Sequence, residues 1–226
     1  MSPKIVSVNV GKPKTVPYRD KHLETGIYKN PVSIPLYLSK VQLDGDGQAD
    51  LAVHGGPDKA LCVYSTDHYP YWEELLGPLS FGAFGENISV EGLTEKDTCI
   101  GDIYELGEAL VQVSQPRRPC FKLGYLHDNP KLPLIVQETG YTGFYLRVLR
   151  EGWITVQPAF TLVQRHPLGL SVDFVNVCKY GKTDNLEGYR TILSNEALAE
   201  SWRGSFEKKL AVADQTLSAD ADRGQG

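Results

Sequence analysis

Leu110-Val-Gln-Val-Ser-Gln-Pro-Arg-Arg-Pro-Cys-Phe-Lys122 joins a short alternating run to a stiff, basic loop that carries a cysteine. The same alternation returns in Val6-Ser-Val-Asn-Val10, Ala60-Leu-Cys-Val-Tyr64 and Tyr145-Leu-Arg-Val-Leu149, and period-2 runs of this length read as strands. Between them Gly and Pro recur at close intervals, at Gly45, Gly47, Gly55-Gly-Pro57, Gly77-Pro78, Gly82, Gly85, Gly92, Gly101 and Gly107. Short strands with such punctuation predict a barrel or sandwich over the first part of the chain. One helix interrupts it: Asp67 is placed to cap a segment with Tyr71, Trp72, Leu75 and Leu76 on one face, and Gly77-Pro78 ends it.

After Pro167 the apolar period changes. Val172, Val175 and Cys178, then Leu186, Tyr189, Ile192 and Leu193, then Leu198, Trp202, Phe206 and Leu210 fall at helical spacing, with Gly181 and Ser194-Asn195 as separators. Three short helices are predicted, each too short to be stable without packing against something else. Residues 213–226 have almost no bulky apolar side chains and are expected to form a disordered tail.

The composition narrows the function. Lys plus Arg number 23 and Asp plus Glu 28 in 226 residues, a net charge of −5, with 41% apolar and 23% charged residues. This is ordinary folded composition and excludes a disordered or fibrous chain. No run approaches the ~18 apolar residues of a membrane span, and Met1-Ser-Pro-Lys-Ile-Val6 lacks a signal-peptide core, so a cytoplasmic protein without a membrane partner is expected. The acidic balance and the lack of a Lys/Arg block argue against direct nucleic-acid binding and favour a small-molecule partner. Cys62, Cys99, Cys120 and Cys178 form no Cys-x-x-Cys pair, so a catalytic thiol acts alone or on a metal.

Four stretches carry candidate chemistry. Asp44-Gly-Asp-Gly-Gln-Ala-Asp50 begins like a calcium loop but has Ala49 where Gly is needed and Gly55 where a bidentate Glu belongs, so it reads as an acidic turn. In His54-Gly-Gly-Pro-Asp-Lys59 two glycines bare backbone N–H groups beside His54 and Lys59, which suits an anion or polar heterocycle; the alternative is a tight turn before Ala60. Glu86 and Asn87 either meet a ligand or cap and turn the chain. In Gln115-Pro-Arg-Arg-Pro-Cys-Phe-Lys122 the neighbouring cations favour the thiolate of Cys120, the form that attacks or ligates a metal, against the alternative of a small packed residue. Cys62 and Cys178 lie in apolar runs and read as core, whereas Cys99 has no charged partner visible in the sequence.

Taken in order, Asp44–Asp50, His54–Lys59, Phe84-Gly-Glu-Asn87, Gly101-Asp102 and Gln115-Pro-Arg-x-Pro-Cys120 resemble the MOSC family, the domain named for the C-terminal part of molybdenum cofactor sulfurase. More narrowly, residues 1–212 look like the YiiM-like branch, in which a small three-helix segment follows the barrel. The resemblance implies a mainly β fold, with a MOSC-type β-barrel and a few helices over residues 1–163, then the three-helix segment over 164–212. It implies a molybdenum cofactor, Mo-molybdopterin, with Cys120 as the protein ligand to the metal, a soft thiolate being suited to a dithiolene-bound molybdenum. Arg117, Arg118 and Lys122 are then expected to hold the thiolate form and the cofactor's phosphate. Lys29, in Thr25-Gly-Ile-Tyr-Lys29, is a further cofactor-binding candidate, and His54, Lys59 and Asn87 would line the pterin or the substrate mouth.

The activity implied is reduction of N-hydroxylated compounds, hydroxylaminopurine bases among them, to amines. His54 is the expected proton donor, unless it only hydrogen-bonds its own loop. No plant-type iron–sulfur spacing and no Gly-x-Gly-x-x-Gly fingerprint is present, so a separate electron-donating reductase is expected. Two rivals stand beside this: a sulfur carrier using a Cys120 persulfide, and a molybdenum cofactor carrier without turnover.

Overall fold

The structure, a computed structural model, describes residues 3–51, 55–155 and 158–223, with side chains described as far as Ala213. Twelve strands are described: β1 (Lys4–Val10), β2 (Lys14–Tyr18), β3 (Lys21–Thr25), β4 (Asn30–Pro31), β5 (Leu36–Leu38), β6 (Leu61–Ser65), β7 (Ile88–Glu91), β8 (Ile103–Leu106), β9 (Ala109–Pro116), β10 (Phe144–Arg150), β11 (Gly152–Ile154) and β12 (Phe160–Gln164). The helices are α1 (Tyr69–Leu76), α2 (Phe121–Leu126), α3 (Leu132–Thr139), α4 (Val172–Tyr180), α5 (Leu186–Leu193) and α6 (Glu200–Arg223). All four alternating runs are strands, and the protein is mainly β with a C-terminal helical segment.

Eight strands form one sheet in the order β12-β8-β9-β10-β6-β7-β1-β4. A bridge between Lys4 and Ala159 brings β1 back to the residue before β12, so the sheet curls into an incomplete barrel. The alternation in β9 and β10 has the expected cause: Ala109, Val111 and Val113 meet Phe144, Leu146 and Val148 inside the curl, while Gln112 and Arg147 are half-exposed on its outer face. Every residue of β6 is buried, because both faces of this central strand are covered.

One apolar cluster fills the curl and continues without a break into the helical segment, from Ile5, Val63, Val111 and Leu146 to Val175, Tyr189, Trp202 and Phe206. The faces predicted for α4 and α5 are the buried ones. The third helix is longer than expected: α6 runs on through residues 214–223, where a tail was expected, and that stretch contains neither Gly nor Pro to stop it. A second cluster joins Trp72 of α1 and Tyr64 and Phe84 to Leu123 of α2 and to Leu132 and Val136 of α3.

At α1 two expectations are corrected. Asp67 accepts from the backbone N–H of Gly92 and does not cap the helix; Ser65 caps the preceding turn by accepting from the Asp67 N–H. The inward face is Tyr69 and Trp72, whereas Tyr71 and Leu75 are exposed. Gly77 does end the helix, at φ +79, a conformation in which other residues are strained. Among the described residues no helix is long and apolar enough to cross a membrane.

Candidate functional site

The basic loop departs from the sheet at Pro116, which has no N–H to continue the ladder, and Pro119 disfavours a helical conformation at Arg118. Cys120 is itself extended, at φ −127 and ψ 166, and stands directly before α2, with the Leu123 N–H bonded back to its carbonyl at 3.0 Å. It is half-buried, the other three cysteines being buried. Its side chain opens into a cleft between the loop after β3, the loop around Asp46, the basic loop itself and the strands β6 and β10.

Seven of the eight predicted site residues line this cleft: Cys120, Arg117, Arg118, Lys122, Lys59, Asn87 and Lys29. The eighth, His54, lies outside the described residues. In a chain of net charge −5, the cleft gathers five basic side chains against the carboxylate of Asp46. Such a surface selects anions.

The five cations are held differently. Arg117 is buried; its backbone N–H bonds to the Gly143 carbonyl at 3.0 Å and its Nη2 donates to the Phe84 carbonyl at 2.5 Å. Its Nη1 is buried with no hydrogen-bond partner among the described residues. Burial works against its charge, yet its pKa is raised, because Cys62, Tyr145 and Cys120 beside it oppose loss of the proton at the alkaline pH where they are themselves ionised, so the guanidinium stays protonated. Arg118 donates to the Ser201 carbonyl and Lys122 to the Glu24 carbonyl at 3.1 Å, so both sit at the rim. The pKa of Lys59 is lowered, first by burial and then by the charge of Arg118, with Asp58 and Asp50 opposing.

Lys29 and Asn87 prove to be part of the wall. Lys29 is ion-paired with Asp46, both almost fully buried. Asp46 also accepts from the Gly11 N–H at 2.9 Å and from Asn87 Nδ2 at 2.8 Å. Asn87 Oδ1 accepts from the Cys62 N–H at 3.0 Å, so its amide is satisfied inside the protein and it is positioned to hold the cleft together. The acidic turn at residues 44–50 therefore supplies the buried counter-charge of the site. Glu86 has the capping role of its two alternatives, accepting from the Gly82 and Phe84 N–H groups and from the Tyr69 hydroxyl.

Three lining residues escaped the sequence reading. Asp46 reads in the sequence as a residue of an acidic turn. Cys62 and Tyr145 are cross-strand partners on β6 and β10, and so present their side chains on the same face, toward the cleft. Burial pushes the Cys62 thiol up to about 11 and the Tyr145 phenol well above its usual range, so both keep their protons. Cys99, on the far side, does have a charged partner: Arg165 Nη1 lies 3.1 Å from its sulfur and 2.8 Å from Asp102 Oδ2.

The cleft fits an anionic group that brings a soft metal to Cys120. A buried, unpaired donor costs about 1–3 kcal/mol, and an anion reaching Arg117 Nη1 removes that cost. Among the described residues no three His, Cys, Asp or Glu side chains are grouped to hold a metal.

The sequence profile of the MOSC domain matches residues 50–160, and that of a YiiM-like, 3-alpha helix domain matches residues 170–213. YflK of Bacillus subtilis is 52% identical over 206 residues, 91% of this chain and 93% of that protein. The crystal structure of YiiM from Geobacillus stearothermophilus has a TM-score of 0.79 to this fold at 45% identity, covering 92% of this chain and 99% of that one. A Gibberella moniliformis protein named a reductase is 36% identical over 148 residues, 63% of this chain and 26% of that longer protein.

Proposed function

Because the chain belongs to the MOSC family, in the YiiM-like branch with a three-helix C-terminal domain, we propose that it is a molybdenum cofactor-dependent oxidoreductase that reduces N-hydroxylated compounds, such as hydroxylaminopurines, to amines. The observation that carries this reading is the half-buried thiol of Cys120 in one cleft with five basic side chains, one of them the buried and partly unpaired Arg117. The name of the longer Gibberella relative supports a reductive role.

When bound, the molybdenum dithiolene centre supplies the two-electron cleavage of the N–O bond, so that R–NH–OH, two electrons and two protons give R–NH₂ and water. Cys120 holds the metal. Arg117 fixes the anionic end of the cofactor from the floor of the cleft, where low dielectric strengthens its pull. Arg118 and Lys122 would hold the same end from the rim. Lys29, neutralised by Asp46, orders the two loops that form the opposite wall.

His54 is the proposed proton donor, since an ordinary imidazole titrates near neutral pH. Tyr145, kept protonated by burial, serves as a hydrogen-bond donor rather than a base. Electrons are supplied by a separate reductase.

The test gives molybdenum-loaded, full-length protein an N-hydroxylaminopurine with reduced viologen dye in place of the reductase. Amine should form with two equivalents of dye oxidised for each amine. Loaded protein that forms no amine contradicts the proposal.

A further inference from the structure

The helical segment meets the cleft at Arg118. Arg118 Nη2 donates to the Ser201 carbonyl at 2.8 Å, and its guanidinium carbon lies 5.0 Å from the centre of the Trp202 ring, within the range of a cation–π contact. Trp202 is fully buried in the core shared by sheet and helices. The start of α6 is itself tied to β9, with the Ala199 N–H on the Ser114 carbonyl at 2.9 Å and Ser201 Oγ on Gln115 Oε1 at 3.1 Å. Arg118 thus has one side against the helical segment and the other in the cleft, where its charge, after burial, helps to lower the pKa of Lys59.

The choice of tryptophan is informative. The indole Nε1 is buried without a hydrogen-bond partner among the described residues, a penalty that phenylalanine would not incur. What indole offers in return is a broad face with the strongest attraction for a cation.

We propose that the helical segment is a working wall of the anion site, in which Trp202, with the Ser201 carbonyl, is a positioning residue that holds the Arg118 guanidinium at the cleft rim to grip a phosphate group. The proposal rests on the reading of the cleft as an anion-binding cofactor site. It gives the three-helix segment a function: without it, Arg118 would be a mobile surface side chain and would lose orientational entropy on gripping its ligand.

The test is calorimetric titration of inorganic phosphate into the cofactor-free full chain, for wild type, Trp202→Leu, Trp202→Phe, Arg118→Ala and the two double variants. Arg118→Ala should weaken phosphate binding at least roughly ten-fold, as expected for a charge-assisted hydrogen bond. Trp202→Leu should weaken it roughly two- to five-fold when Arg118 is present and not at all in the Arg118→Ala chain. If the leucine variant does not fold, Trp202→Phe decides, because it removes the unpaired N–H and keeps an aromatic filling; a loss of about two-fold is expected, again only with Arg118 present. Wild-type affinity in the deciding variant, or an equal loss with and without Arg118, overturns the positioning role. A wild-type chain that binds no phosphate overturns the anion site itself, and the role with it.

Discussion

Replacing Asp46 by Asn strands a buried charge. The Lys29 and Asp46 side chains are 6% and 1% exposed, and they form an ion pair in the wall of the cleft. Removing one partner of a buried pair typically costs about 3–5 kcal/mol, because the other keeps its charge without compensation. The new amide also turns an N–H₂ toward one of its neighbours, and the Gly11 N–H, Lys29 Nζ and Asn87 Nδ2 are all donors. With a urea m-value of roughly 2–3 kcal/mol/M for a chain of this size, the unfolding midpoint should fall by roughly 1–2.5 M. Equilibrium unfolding followed by far-UV circular dichroism and tryptophan fluorescence measures it. Adding Lys29→Met to Asp46→Asn removes the stranded ammonium and should restore most of the midpoint, since exchange of both partners for neutral groups is often near neutral. A shift below roughly 0.3 M for Asp46→Asn, or a double variant no more stable than the single, would refute a buried ion pair as the brace of the cleft.

Cys62, with its thiol pushed up to about 11 by burial, should escape alkylation at pH 8 while the half-buried Cys120 is labelled; peptide mass mapping that finds Cys62 labelled in the folded chain counts against this. The sign of its pH effect is also set. An unfolded thiol ionises near 9.0 whereas the folded one holds its proton to about 11, so stability falls as pH rises between those values, by up to about 2–3 kcal/mol. Cys62→Ala should flatten that part of the alkaline fall in urea midpoint, and an unchanged slope would contradict the assignment. A Cβ at Gly26 would lie 2.4 Å from the Gly47 carbonyl oxygen across the cleft wall. Gly26→Ala should therefore part the two loops, costing about 1–3 kcal/mol and lowering cofactor retention; wild-type melting and molybdenum content in that variant would contradict it.

The strands of the curled sheet and the faces of α4 and α5 were legible because each rests on a local period that burial enforces. The loop from Pro116 to Lys122 was legible for a similar reason, with two prolines, three cations and a thiol packed into a few residues. What local sequence does not carry is pairing across the fold. Asp46 meets Lys29 and Asn87 only after the loops before β4, after β5 and before β7 converge, and Cys62 reaches the cleft beside its cross-strand partner Tyr145 on β10. Tyr145 had a signal: it is out of phase with the inward residues Phe144, Leu146 and Val148. On α1 Tyr71 and Leu75 lie next to Trp72 on the apolar side, but the fold buries Trp72 with Tyr69 and leaves those two at the surface. Trp202 read as core, and it is core; its contact with Arg118 depends on a helix more than eighty residues further along the chain.

The central claim is that Cys120 holds molybdenum in this cleft, and the most direct test is molybdenum per chain, by elemental mass spectrometry, for wild type and Cys120→Ala purified anaerobically from a host that makes the cofactor. Near-stoichiometric metal in the wild type and its loss from a variant that keeps the wild-type circular dichroism is the expected result. Full molybdenum content in Cys120→Ala, or none in either protein after reconstitution with the cofactor, would contradict the account.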